Sequence, residues 1–490
     1  MQKKILRFYF ILLLFSMLVW SCGGASKKSS GMNVIMITAD DLGWKDLSCY
    51  GCKDVDTPNI DRLAREGVRF TNCFAVSSSC APSRATLVTG QYPHSHGVDG
   101  LAHIRPQKSL SPFSHTLPKV LMKSGYHTGI EGKWHIAPFF PKRWYGYKQS
   151  MNPLNPFSMH IESSENAVEF IEAHIDERFY LELNYMNNHR NGDGTFDAVE
   201  EYMPNPDEIS IPEYYALPDT PELREDLARY HSQTMKMDAM IGDVVETLER
   251  LGLRDSTLII FLSDNGAPYP GNKMTLYDRG TGVPLIISAP STLPQGEVVD
   301  AQINTVDIMP TVLDVLDLET SPTVHEQIQG ESFVRLLRHP GRRTAENPVF
   351  TEMTYHVEYV PTRAVRSGGW KYIRNYSSSP IGLDQLNHFR WAHELCRAEN
   401  QPWLQPRTRE ELYNLKVDPT EQMNLAGAEQ AQLERMRALL KLHMHQTEDP
   451  YLERSFEDDY DPENYRYEEY QKSWWDILNP AEKKVEKGLK

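Results

Sequence analysis

The chain has 490 residues, 40% hydrophobic and 24% charged, an ordinary globular composition with enough length for a large core and a smaller appended lobe. Its formal net charge of -16 excludes general nucleic-acid binding, whose affinity rests on Lys and Arg neutralising phosphates. It does not exclude a small anionic substrate, because a local group of cations sets the field inside a cleft.

Lys3, Lys4 and Arg7 precede an apolar run from Phe8 to Trp20, the layout of an export signal and too short for a membrane span. The following "LVWSCGG" resembles a bacterial lipobox, which implies cleavage before Cys22 and lipidation of that residue. On this reading residues 1–22 are a signal peptide and 23–32 a flexible tether, with the protein in the periplasm or at the cell surface, anchored to the membrane by lipid. The alternative is a plain signal peptide with an incidental cysteine. The other cysteines are Cys49, Cys52, Cys73, Cys80 and Cys396. Cys49 and Cys52 form a C-x-x-C, but no second such pair or His-rich partner lies nearby, so packing or a disulfide is preferred over metal or redox chemistry.

"NVIMITADDLG" from Asn33 is a β-branched, apolar run ending in Asp40 and Asp41, and predicts a buried strand with carboxylates at its C-terminal end. A helix starts at Thr57–Pro58, carries Ile60, Leu63 and Ala64 at helical spacing, and stops at Gly67. "VRFTNCFA" is a second strand, followed by "SSSCAPSRATLVTG", in which Cys80 precedes a predicted helix. Next come a helix ended by Gly125, a strand, and a loop carrying Lys133 and His135. "RFYLELNYMNNHR" is a strand that delivers His189. A long amphipathic helix from about Pro221 to Leu251 places Leu227, Met235, Ile241, Val245 and Leu248 mostly on one face. "STLIIFLSDNG" is an apolar strand ending in Asp264 and Asn265.

Strands alternating with helices imply a mainly parallel sheet covered on both faces, here assigned to residues 33–345. Beyond that, "RAVRSGGWKYIRNY" and "EELYNLKVDPTEQMNLAG" read as antiparallel strands with turns, and Ala428–His445 as one helix. Residues 346–490 thus form a smaller α+β lobe with a charged, aromatic tail from Glu453.

Ligands of such sheets bind outside the carboxyl ends of the strands. Those ends supply Asp40, Asp41, Asp264 and Asn265, hard oxygen donors of the kind Ca²⁺ or Mg²⁺ takes. Singly, each acidic pair reads as loop or capping residues; jointly they favour a metal site. A soft thiolate at Cys80 mismatches such a cation.

Cys80, Pro82, Ser83 and Arg84 reproduce the C-x-P-S-R signature of the type I sulfatases, and the resemblance extends from "NVIMITADD" to "ELYNLKVDPTEQMNLA". It implies an α/β, alkaline-phosphatase-like large domain with a mixed, mainly parallel sheet flanked by helices, plus a smaller C-terminal α+β subdomain with an antiparallel sheet. It also implies oxidation of Cys80 to formylglycine by a separate maturation enzyme, and one divalent cation, Ca²⁺ ahead of Mg²⁺, on Asp40, Asp41, Asp264, Asn265 and residue 80. By the same resemblance Arg84 stabilises the hydrated aldehyde, Lys133 and Lys273 bind sulfate oxygens, His135 orients or deprotonates a diol hydroxyl, and His189 contacts sulfate and protonates the leaving group. The implied mechanism is covalent, with one diol oxygen attacking sulfur and the second hydroxyl then driving elimination of sulfate.

Several stretches, among them "SSSCAPSRATL", "SDNGAPYPGNKMTLYDRGTGVPLI" and "TEDPY", are most similar to the heparan N-sulfatases, which implies a sulfated glycosaminoglycan substrate bearing glucosamine N-sulfate. Lys273 departs from that pattern by standing where arginine is usual, a point charge in place of a bidentate fork. "TYHVEYVPTRAVR" brings His356 and Glu358 to the sugar, or places them in packing or surface roles. Two other readings stay open: an O-sulfatase on another sugar or aryl ester, and an inactive, lipid-anchored glycan-binding protein. Loss of a metal ligand or of Cys80 would mark the second, and both are retained.

Overall fold

The computed structural model describes residues 31–102, 108–137, 143–151, 160–341, 347–356, 359–380 and 405–457. The readings placed on Cys22, Glu358, Cys396 and the tail beyond Glu457 lie outside these residues. No helix among the described residues is long and apolar enough to cross a membrane.

Eight strands form the large sheet: β1 (Asn33–Ala39), β2 (Val68–Phe74), β3 (His127–Gly132), β4 (Gln149–Ser150), β5 (Phe179–Tyr185), β6 (Thr257–Ser263), β7 (Gly282–Ser288) and β8 (Glu297–Asn304). Their order is β4-β3-β5-β1-β6-β7-β2-β8. The pairings β3–β4, β3–β5, β1–β5, β1–β6 and β2–β8 are parallel, and β7 is antiparallel to both neighbours. One reversed strand leaves β1, β2, β3, β5 and β6 with their C-terminal ends on the same edge.

Apolar residues of β1 alternate between two cores. Val34 and Met36 join a layer with Ala81, Ala85, Leu117, Val120, Met309 and Val312. Ile35, Ile37 and Ala39 join the opposite layer with Ile60, Leu63, Phe170, Leu227, Ile241 and Leu248. Period-2 side chains feeding helices on both faces are the reason this strand reads as apolar throughout. The long helix spans Pro221–Arg250 as expected, with Thr220 Oγ1 capping the amide of Leu223. It is buried over more of its circumference than one apolar face, with Tyr230, His231 and Asp238 inside, while Met235 is half-buried.

The second sheet, ordered β12-β11-β10-β9, is antiparallel and comprises β9 (Val349–Tyr355), β10 (Tyr359–Ser367), β11 (Trp370–Asn375) and β12 (Glu410–Asn414). The helix Gln430–Gln446 lays Leu433, Met436, Leu440 and Met444 on one face of it, against Val365, Tyr372, Tyr376 and Leu412. Its other face meets Met274 and Leu276 from the first sheet's loops. A buried polar seam also ties the lobes: His94 Nδ1 lies 2.6 Å from Glu352 Oε2, and Arg363, bonded to Asp449 within the second lobe, lies 3.8 Å from the same oxygen.

The two stretches read as antiparallel strands with turns supply β10, β11 and β12, and after β12 the Asp418 carboxylate accepts from the amides of Gln422 and Met423 and folds the rest of "EELYNLKVDPTEQMNLAG" into a turn. One alternative needs correction. The disulfide alternative for Cys49 and Cys52 does not hold: Cys49, Cys52, Cys73 and Cys80 are all free thiols. The C-x-x-C packs instead around a tight turn in which Gly51 has φ 101 and the Asp61 carboxylate accepts from the Cys49 amide.

His231 yields a stability prediction. It is fully buried, neither ring nitrogen has a hydrogen-bond partner among the described residues, and burial alone pushes its pKa down to about 4. The unfolded chain takes up a proton near pH 6.5 that the folded protein refuses until about pH 4, so the stability present above pH 6.5 is lost as pH falls through this window. Relative to His231→Leu, the native protein is expected to lose about 1.4 kcal/mol per pH unit there. Denaturant titrations at several pH values check this; parallel profiles for the two proteins would contradict it.

Candidate active site

Four adjacent parallel strands bring their ends together. Asp40 and Asp41 follow β1, Asp264 and Asn265 follow β6, Lys133 follows β3, and a short turn after β5 carries His189. From β2, the segment Ala75–Ser79 rises past the same edge, held by Ala75 N on Thr281 O and Val76 N on Thr305 Oγ1, and opens the helix Cys80–Thr89. All ten residues of that helix are buried, which explains the small side chains Ala81, Ser83, Ala85 and Thr86. Ser79 is extended (φ -146, ψ 133), and Cys80 is the first helical residue, where unsatisfied amides favour an anion.

The charged groups at this edge are matched in pairs. Lys133 Nζ lies 2.5 Å from Asp40 Oδ2, Lys273 Nζ 2.6 Å from Asp41 Oδ1, and Arg84 Nε 2.8 Å from Asp264 Oδ2, all buried. Lys273 Nζ also lies 3.4 Å from Cys80 Sγ. Arg84, one turn along the helix, reaches Asp40 as well, at 3.7 Å. Burial pushes the Asp40 carboxyl up, but Lys133, His189, Arg84 and Lys273 outweigh it and hold it well below the ordinary carboxylate range. Burial pushes Asp264 up to about 7 despite Arg84. Burial also raises the Cys80 thiol, against the pull of Lys133 and Lys273, so it is not poised as a thiolate nucleophile. Lys133 and Lys273 both lie above the usual lysine range, since their acidic neighbours overcome burial.

Asp41 sits in the left-handed region (φ 64), where its amide donates to Asp264 Oδ1 and its Oδ1 accepts from Asn265 Nδ2. Such backbone strain persists only where surroundings over-determine it. The Tyr230 hydroxyl bonds Asp41 O, accepts from Gly43 N and donates to Asp46, which Tyr214 and Tyr215 also contact.

A divalent cation fits these residues. Ligand atoms of Asp40, Asp41 and Cys80 lie within 4.8 Å of one another. Asp40 Oδ1 and Asn265 Oδ1 are buried without a hydrogen-bond partner among the described residues, an unfavourable state that a hard cation would relieve.

His189 Nδ1 is 2.7 Å from Arg190 O, so that nitrogen carries a proton and Nε2 is the one that titrates. Burial and then Lys133 push its pKa down to about 4. Arg190 is fixed by a bidentate pair with Asp226, at 2.7 and 2.6 Å, and by the rings of Phe196 and Tyr269. His135 follows Lys133 in a half-buried left-handed turn (φ 56). His356, half-buried, follows β9, whose Tyr355 amide bonds Asp99 O. The structure therefore gathers Asp40, Asp41, Cys80, Arg84, Lys133, His189, Asp264, Asn265 and Lys273 around one point. The roles of Arg190, Asp226, Tyr230 and Asp46 were not read from sequence. Only the adjacency of Arg190 to His189 signalled any of them, since Asp226 and Tyr230 lie within a helix whose polar residues look solvent-facing.

A buried oxygen-donor cluster, cations and a C-x-P-S-R helix on an α/β sheet edge define a hydrolase of anionic esters. The profile of the Sulfatase family matches residues 32–318, and the chain belongs to that family, whose members generally use formylglycine and a divalent metal. It is an enzyme of the sulfuric ester and sulfamate hydrolase class. A second profile, "N-sulphoglucosamine sulphohydrolase, C-terminal", matches residues 271–382. The human N-sulphoglucosamine sulphohydrolase is 29% identical over 467 residues, covering 86% of this chain and 91% of that protein. An ulvan-active sulfatase of Formosa agariphila is 28% identical over 438 residues, covering 81% and 71%. Among solved structures, BT4656 in complex with its substrate D-glucosamine-2-N,6-O-disulfate aligns with a TM-score of 0.64 at 20% identity, over 86% of this chain and 99% of that one.

Gly132 tests the positioning of Lys133. It has φ 86, and a Cβ there would lie 2.1 Å from Asn184 O, whose carbonyl accepts from the Lys133 amide. Gly132→Ala is expected to cost about 3 kcal/mol of stability. Chemical denaturation reads this, and a loss below about 1 kcal/mol would show that the strand end can shift to accept a side chain.

Proposed function

We propose that this enzyme removes the N-sulfate of non-reducing-end N-sulfoglucosamine from heparin or heparan sulfate fragments, with formylglycine at position 80 and one Ca²⁺. The observation that carries the reading is the placement of Cys80 at a helix N-terminus beside Lys273, near Asp40 Oδ1 and Asn265 Oδ1, which have no hydrogen-bond partner among the described residues. The N-sulphoglucosamine sulphohydrolase profile over residues 271–382 and the human relative support the N-sulfated substrate. A maturation enzyme would install the aldehyde, and export with lipidation at Cys22 would bring the protein to sulfated glycans outside the cytoplasm.

Formylglycine supplies, when hydrated, one oxygen to attack sulfur and a second hydroxyl to release sulfate afterwards. A dication held by Asp40, Asp41, Asp264 and Asn265 would supply charge to offset the oxygens of the reacting group. Lys133 and Lys273 then give up part of their pairing with Asp40 and Asp41 to bind sulfate oxygens, with Arg84 beside residue 80. His189 keeps Nδ1 on Arg190 O and holds a proton on Nε2 once the substrate anion offsets Lys133, ready for the departing nitrogen. His135 orients the hydroxyl that must lose its proton, and His356 and Glu358 contact the sugar.

Sulfate release from N-sulfoglucosamine, compared with its 6-O-sulfated isomer, tests the specificity, and preference for the N-sulfate is expected. Hydrolysis of the O-sulfate alone would favour the second reading, an O-sulfatase, toward which Lys273 and the 28% identical ulvan-active sulfatase point. Cys80→Ala is expected to fold and to release sulfate about 10³-fold slower or less. The intact mass of active protein should be lower than that of the cysteine form by the difference between a thiol-bearing and an aldehyde-bearing side chain.

Chelation is expected to lower the thermal midpoint and Ca²⁺ to restore it, by about 2.7 kcal/mol at 100 times its Kd. Asn265→Ala should blunt that recovery in calorimetry, and an unchanged Ca²⁺ response would remove Asn265 from the ligand set.

A further inference from the structure

Lys273 lies on the loop between β6 and β7, yet much of what shapes that loop comes from the second sheet. Met274 is in the left-handed region (φ 72), with its amide on Ser78 O at 3.0 Å and Ser78 Oγ at 2.9 Å. Ser78 Oγ in turn donates to Gly280 O at 2.8 Å, so both ends of the loop are pinned two residues before Cys80. From the other side, Met274 and Leu276 pack on Met353, Ala364, Ile373 and Tyr413, and Tyr277 donates to Glu411.

The closest engagement is with the turn Asp418–Gln422. Glu421 is itself left-handed (φ 56) and its Oε2 accepts from the Asp278 amide at 2.6 Å. The Asp278 carboxylate bonds Lys371 at 2.8 Å and Arg366 at 3.1 Å, both from the second sheet. Arg279 bridges the two parts: Nε donates to Gly271 O at 2.7 Å inside the loop, and Nη1 to Thr420 O at 2.8 Å on the turn. Left-handed backbones at Met274 and Glu421 thus anchor the loop from two sides, the first on Ser78 and the second on the Asp278 amide.

We infer that Glu421 and Arg279 are positioning residues that hold Lys273 over residue 80, making the second lobe part of the sulfate site although neither touches substrate. This rests on the reading of Lys273 as a sulfate ligand. Ser78 ties the loop to the residues just before position 80, and Glu421 engages the loop through the Asp278 amide while lying 3.4 Å from Lys371, which itself bonds Asp278.

The test is a double-mutant cycle with two readouts, the Kd for inorganic sulfate by calorimetry and the kcat and KM for N-sulfoglucosamine. Glu421→Ala, which removes the acceptor of the Asp278 amide, is expected to weaken sulfate binding and lower kcat on the order of tenfold, and to add less than about twofold in a Lys273→Ala background. Arg279→Lys, which keeps the charge and loses the fork, should behave alike and serves if the first variant does not fold. Equal losses in both backgrounds, or no loss in either variant, would overturn the inference while leaving the enzyme a sulfatase. A native protein that neither binds nor hydrolyses sulfate would overturn the functional reading and this inference with it.

Discussion

Everything at the site depends on keeping three carboxylates and three cations buried together at one sheet edge. Asp40 with Lys133, Asp41 with Lys273 and Asp264 with Arg84 cancel in formal charge. Breaking one such pair strands a charge in low dielectric at a cost of about 3–5 kcal/mol, so the arrangement is held as a unit. It is balanced without a metal and would become net positive with one, which is the charge a sulfated substrate needs to find. Lys133 and Lys273 neutralise Asp40 and Asp41 here, and on the proposed function the same two cations would meet sulfate.

The fold maintains this balance by supplying the charges from separate, rigid origins. Asp40, Asp41, Asp264 and Asn265 come from two adjacent parallel strands, Lys133 from a third and Cys80 with Arg84 from a buried helix. Lys273 is the exception, since its loop is shaped as much by the second sheet as by the first. The left-handed backbones at Asp41, His135 and Met274 fall within these junctions, where strain is held by the packing around it.

The fold class and most of the site were legible in the chain. Apolar runs ending in "ADD" and "SDNG" announced strands whose carboxyl ends carry oxygen donors, and the helix after Cys80 gave Arg84 its one-turn spacing. What was not legible has one cause: side chains that act through partners far away in sequence leave no local pattern. Asp226 reads as a helix-surface residue until Arg190 is seen against it, and Glu421 as a turn residue until it meets the Asp278 amide. The C-x-x-C left packing and a disulfide both open, and geometry decided for packing around a turn with two free thiols.

By itself the sequence determined the alternation of strands and helices, the acidic pairs at strand ends and the C-x-P-S-R motif that opens a helix at Cys80, because periodicity, turn chemistry and a contiguous motif are carried by near neighbours. Tertiary structure alone decided which cation meets which carboxylate, which nitrogen of His189 is left to titrate, and that the second sheet builds the loop of Lys273. Those outcomes depend on strand order and register, which place residues 93, 180 and 232 positions apart within hydrogen-bonding distance.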